Sequence, residues 1–149
     1  MANKYDVSGY PTIKFFPKDS SEAVHYEGGR EIDDFVKFIN EKVGTFRTPE
    51  GNLLPEAGRI KEIDDHIKAS KAIDESLLKT VETEAGKLEG SQASHAKHYI
   101  TFIKNIISKG ADYVNKEKAR LLKMTSSANV NPDSKTLFLY KINILAAFE

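Results

Sequence analysis

The stretch Tyr5-Asp-Val-Ser-Gly-Tyr-Pro-Thr-Ile-Lys-Phe-Phe-Pro17 decides how the first third of this 149-residue chain is read. Thr12 to Phe16 is β-branched and aromatic, and Pro17 closes it. Ile13 and Phe15 fall on one face, and Thr12, Lys14 and Phe16 on the other, which predicts a short strand with one strongly apolar face. Val24-His25-Tyr26 offers a second strand, ended by Gly28-Gly29. The polar run between them predicts a hairpin with a loop of about six residues. Pro11 follows an aromatic residue and precedes the strand. A cis bond there costs only about 0.5–1 kcal/mol, which packing can override.

Past Gly29 the pattern changes to helical period. Over Arg30 to Val43, Ile32, Phe35, Val36, Ile39 and Val43 form one stripe. Acids fill the first turn, Lys42 the last, and Gly44 is placed as a stop. Thr45 to Ala57 holds two prolines and no periodicity and reads as a linker. Everything from Gly58 onward reads as helical. Ile60, Ile63 and Ile67 form a short stripe, and Ile73, Leu77, Leu78, Val81, Ala85 and Leu88 a longer one that Gly90 closes. Ala96, Tyr99, Ile100, Ile103, Ile106 and Ile107 form a third, with Ser91 or Ser94 as cap and Gly110 as stop. Ala111, Val114, Leu121 and Leu122 lie on a fourth. Asn131-Pro132-Asp133 opens a fifth helix carrying Leu137, Tyr140, Ile144, Leu145 and Phe148. The expected fold is therefore mostly α. A small α+β piece spans residues 1–44, a linker spans 45–57, and an all-helical domain of about five helices spans 58–149.

Composition narrows the chemistry. Basic and acidic residues balance at 22 each. Seven basic and ten acidic residues stand up to Ala57, fifteen and twelve beyond it. No global field points to nucleic acid or an anionic membrane. No apolar run approaches the ~20 residues of a membrane helix. The N-terminal residues lack the apolar core of a secretory signal, and the last four are not a retention signal. With no cysteine, the chain has no disulfide, no zinc thiolate site and no thiol nucleophile of its own.

Val7-Ser-Gly-Tyr-Pro-Thr-Ile-Lys-Phe-Phe-Pro17, then Tyr26-Glu-Gly-Gly-Arg30 and Asp33-Asp-Phe-Val-Lys-Phe-Ile39, closely resembles the second half of a thioredoxin-type domain in a protein disulfide isomerase. Glu84-Ala-Gly-Lys-Leu-Glu-Gly90, Lys109-Gly-Ala-Asp-Tyr113 and Lys141-Ile-Asn-Ile-Leu145 resemble the small helical domain that ends the D-subfamily disulfide isomerases and a non-catalytic luminal chaperone of the endoplasmic reticulum. The resemblance implies oxidative protein folding in the endoplasmic reticulum lumen, with unfolded or partly folded polypeptides as partners. It makes Pro11 the cis-proline opposite a dithiol. Gly9, Tyr10, Pro11 and Thr12 then become a substrate-binding loop whose Tyr10 backbone pairs with an extended peptide. The Cys-Gly-His-Cys half that such a domain carries is expected to precede this chain, which by itself is expected to be inactive in thiol exchange.

The exposed strand edge predicts that residues 1–44 are marginal or self-associate through the hairpin. A helical adaptor or dimerisation module is the alternative reading. Tyr99, Phe102, Tyr113, Tyr140 and Phe148 are core packing first, and a candidate client surface second. His95 and His98 stand three apart but lack further ligands, so they are read as solvated and no metal or other cofactor is expected. Glu62, Asp64 and Asp65 read as an exposed helix face, as do Asp33 and Asp34. The basic run Lys116, Lys118, Arg120 and Lys123 reads as solvated too.

Overall fold

In the computed structural model of the chain every residue except Met1, Asp6 and Ala128 is described, so Asp6 of the opening stretch lies outside the described residues. The chain divides into two compact units, residues 1–45 and 46–149.

The first unit begins with a 3-10 turn, Ala2–Tyr5. Strands β1 (Lys14–Phe15) and β2 (Val24–His25) pair antiparallel, with Lys14 opposite His25 and Phe15 opposite Val24. The Tyr26 N–H donates to the Ile13 carbonyl at 3.0 Å and extends the ladder. The strand expected from Thr12 to Phe16 is thus two residues long. At one end the Thr12 hydroxyl turns back to the Gly9 carbonyl at 2.6 Å, and at the other Pro17 has no N–H to give.

Helix α1 (Ile32–Val43) opens with Glu31 as N-cap, whose N–H donates to Asp34 Oδ2 at 3.3 Å. It closes at Gly44, left-handed with φ 68°, a conformation that glycine adopts without steric cost. Tyr26 is buried against this helix, stacked on Phe35 at 4.8 Å and edge-on to Phe38 at 4.9 Å. Phe15 meets Phe38 edge-on at 5.9 Å. Val36 is half-buried, but the other three residues of the expected stripe find no cover. Ile32 is 60% exposed and Val43 54%, and Ile39 is exposed as well. Two strands of two residues each are too small a surface for a helix stripe of that width.

The second unit holds helices α2 (Lys61–Ala69), α3 (Glu75–Ala85), α4 (Gly90–Lys109), α5 (Asp112–Thr125) and α6 (Pro132–Leu145), then a 3-10 turn Ala146–Phe148. Its core is one cluster running from Ile60 to Leu145, with Ile63, Val81, Ala96, Tyr99, Ile103, Leu121, Ile144 and Leu145 fully enclosed. Burying a large aliphatic side chain contributes about 1.5–3 kcal/mol gross, so this cluster is what holds the five helices together. Asp74 Oδ1 accepts from the Leu77 N–H at 3.0 Å and caps α3. Asn131 Oδ1 accepts from the Ser134 N–H at 2.8 Å and caps α6, with Pro132 in the first turn.

Three expectations change here. Gly90 does not close α3, which ends at Ala85. Instead it opens α4 at φ 58°, with Glu89 as N-cap in place of Ser91 or Ser94. Ile107 and Leu122 turn outward, while Phe102, left off the stripe, is buried. The α4 contact face runs through Ala96, Tyr99, Phe102, Ile103 and Ile106, because helices on two sides cover it.

Residues 46–57, read as linker, fold with the helical unit. Leu54 N–H donates to the Phe46 carbonyl at 2.9 Å, Thr48 N–H to the Asn52 carbonyl at 2.8 Å, and Arg47 and Leu53 form an isolated bridge. Asn143 of α6 donates from Nδ2 to the Leu54 carbonyl at 2.9 Å and the Ala57 carbonyl at 3.0 Å. A turn held by distant hydrogen bonds has no hydrophobic period, which is why the sequence read as featureless.

Candidate functional site

The Tyr10–Pro11 peptide bond is cis. Tyr10 is 89% exposed. Among the described residues no hydrogen bond uses the Tyr10 backbone, while its neighbour Gly9 accepts from the Thr12 hydroxyl. An exposed, unpaired peptide unit next to a strand is a place where an extended chain can add its own hydrogen bonds.

A cleft of about 590 Å³ opens beside this loop. Gly9, Tyr10, Pro11 and Thr12 line it together with Lys14, His25, Glu27 and Arg30. The four residues singled out from the sequence are therefore together at one cleft. The charged lining went unnoticed in sequence, because Lys14 and His25 meet only through strand pairing. A second cleft, about 620 Å³, shares Lys14 and is bounded by Lys4, Tyr5, Phe16 and Glu22. There Tyr5 packs edge-on to Phe16 at 5.3 Å.

Tyr26 anchors the hairpin beneath the loop. Its hydroxyl donates to the Gly29 carbonyl at 2.7 Å. Burial, then the nearby Asp34 carboxylate, push that hydroxyl above the usual tyrosine range. The chain after β2 must be glycine here, since a Cβ on Gly28 would meet the Tyr26 ring hydroxyl at 2.5 Å and one on Gly29 would collide with the Asp34 carboxylate.

The aromatic set of the helical unit does not form a client surface as a group. Tyr99 and Phe102 are core residues, at 0% and 3% exposure, and are withdrawn from any partner. Their rings fill the space that the helices close around. Tyr113, Tyr140 and Phe148 are half-buried, and each gives one side to a neighbour. Tyr113 faces Phe102 at 6.4 Å, Tyr140 faces His95 at 4.7 Å, and Phe148 faces Tyr99 at 6.2 Å.

Asp64 is buried, contrary to its reading as an exposed face. Its Oδ2 accepts from Arg59 Nε at 2.8 Å and its Oδ1 from the Tyr99 hydroxyl at 2.6 Å. The Tyr99 hydroxyl in turn accepts from the Ile60 N–H at 3.1 Å, and Arg59 donates to the Asn143 carbonyl at 3.1 Å. Buried charge is stable only when paired and bonded in this way, so the network is structural.

His95 and His98 are half-buried rather than solvated. Burial lowers the pKa of both, and the Lys141 ammonium and His95 lower that of His98 further. Among the described residues no group of three His, Cys, Asp or Glu is set to hold a metal ion. Half of the basic run is paired, with Arg120 forked onto Glu117 at 2.8 and 2.7 Å and Lys118 joined to Glu149.

Residues 58–148 match the family model described as endoplasmic reticulum protein ERp29, C-terminal domain. Over 99% of its length the chain is 46% identical to protein disulfide isomerase-like 2-2 of Oryza sativa subsp. japonica, covering 41% of that protein. It is 41% identical to the probable protein disulfide-isomerase A6 of Medicago sativa and 40% identical to the protein disulfide-isomerase tigA of Aspergillus niger, covering 42% and 39% of them. The chain thus spans about two fifths of the length of the curated relatives it matches. With the helical unit matched across its five helices, the chain belongs to the ERp29 C-terminal domain family, and over both units it is similar to those disulfide isomerases.

Proposed function

We propose that this chain is a polypeptide-binding part of a disulfide isomerase of the endoplasmic reticulum lumen. It holds unfolded or partly folded clients by contact, not by thiol chemistry of its own. The observation that carries this is the unpaired, exposed Tyr10 backbone beside cis Pro11, set against a cleft large enough for a few residues of extended chain. The names of the relatives support the setting. Disulfide exchange requires a thiolate nucleophile, and the 149 residues contain none.

The test is paired. The purified chain should slow aggregation of a chemically unfolded client at near-stoichiometric ratio, while catalysing no insulin reduction. A Pro11→Ala variant should lose most of the protection. Full protection by that variant, or none by the native chain, overturns the reading.

A second reading is favoured by a different observation. Ile13, Phe16, Ile32, Ile39 and Val43 are all exposed within the 45-residue first unit. Such a density of uncovered apolar side chains marks an association surface. On this reading the hairpin joins two copies and the helical unit is an adaptor. Size-exclusion chromatography with and without residues 1–44 separates the two. A monomer in both cases removes the adaptor.

A further inference from the structure

The cleft that Tyr10 and Pro11 line has a basic charged lining, although the unit it belongs to is not basic. Residues 1–45 carry six bases and eight acids, yet Lys14, His25 and Arg30 line this cleft against the single carboxylate of Glu27. Lys14 and His25 are direct register partners across β1 and β2, so both side chains leave the same face of the hairpin. Among the described residues no ion pair links Lys14, His25 or Arg30 to a carboxylate. The opposite face of the hairpin is spent on helix α1 through Phe15 and Tyr26, which leaves the basic face for a ligand.

We infer that this cleft selects extended polypeptide segments carrying an acidic side chain. The inference rests on the peptide-binding reading above and adds the class of peptide. A chain paired with the Tyr10 backbone advances about 3.3 Å per residue. A Glu or Asp within about four residues of the pairing position therefore comes within reach of Lys14 and Arg30. Each exposed ion pair changes affinity by about two- to fivefold, so two of them give a preference between about fourfold and about twenty-fivefold. That preference fades as salt shortens the Debye length toward about 3 Å at 1 M.

The experiment uses the full 149-residue chain and three fluorescein-labelled, unstructured twelve-residue peptides that differ only in carrying Glu, Gln or Lys at two central positions. Anisotropy at low ionic strength should rank them Glu, then Gln, then Lys, with the Glu peptide about five- to tenfold tighter than the Gln peptide. Added salt at about 0.5 M should compress the ranking. The double variant Lys14→Glu, Arg30→Glu should invert it, and Lys14→Gln should flatten it if the double variant does not fold. Equal binding of all three peptides overturns the acidic preference and leaves peptide binding standing. Binding of none overturns both.

Discussion

The Tyr99 hydroxyl of α4 donates to Asp64 of α2 at 2.6 Å and accepts from the Ile60 N–H at 3.1 Å. One side-chain oxygen thereby satisfies a buried carboxylate and the amide of Ile60, the N-cap residue of a helix that has no side-chain cap of its own. Burial and the bond to Asp64 push this hydroxyl far above the ordinary tyrosine range, so it stays a donor. Replacing it by Tyr99→Phe leaves both partners without it and should cost about 1–3 kcal/mol. Asp64→Ala removes the partner of a largely buried Arg59 and should cost about 3 kcal/mol. Urea unfolding followed by circular dichroism reads both. A Tyr99→Phe loss below a few tenths of a kcal/mol would mean that water replaces the hydroxyl.

The Asn143 side chain ties residues 54–57 to α6. Asn143→Ala should lower stability by about 1–2 kcal/mol through two lost hydrogen bonds. It should also expose residues 46–57 to limited proteolysis, with cleavage there faster than in the native chain. Unchanged cleavage would show that the local turn at Thr48 to Asn52 holds the segment unaided.

Gly58 stands at φ 80°, and a Cβ on it would meet Tyr140 Cδ1 at 2.7 Å. Gly58→Ala therefore combines backbone strain of about 1–2 kcal/mol with a clash against a ring that also faces His95. The paired change Gly58→Ala, Tyr140→Ala should recover the clash but not the strain. Full additivity of the two single losses in denaturant titration would show that the ring moves aside freely.

His95 and His98 titrate against folding. Their folded pKa values lie below the unfolded reference of about 6.5, so the folded state binds fewer protons than the unfolded one in this range. Stability is complete above that reference, and falls as pH drops through it toward the depressed folded values. Glu84 and Glu117, also depressed, add their own losses only below about pH 4.5, so the interval from pH 7.5 to 5.5 isolates the histidines. Urea midpoints should decline across it, and the double variant His95→Gln, His98→Gln should flatten the decline. An equal slope in that variant would place the titration elsewhere.

The five-helix core draws all its members from residues 60–145. A chain beginning at Phe46 should accordingly keep a cooperative thermal transition. Loss of that transition would mean that the helical unit depends on the first.

The elements legible in sequence were those set by neighbours along the chain. Gly44 and Gly110 stop helices, Asn131-Pro132 starts one, and the stripes of α2, α3 and α4 name most of the core, because caps and helical period act within a few residues. Asp64 was illegible for the opposite reason. One position off the Ile63 and Ile67 stripe, it looks solvated until Tyr99, 35 residues later, arrives beside it.

Local physics thus determined where helices and the hairpin form and that no thiol is present to react. Packing across long separations decided the rest. It buried Tyr99 and Phe102, drew residues 46–57 onto α6, and left half of the α1 stripe uncovered. It also set Lys14 beside His25 on the face next to Pro11. Periodicity reports which side of an element is apolar, but only the closed fold determines whether anything comes to cover it.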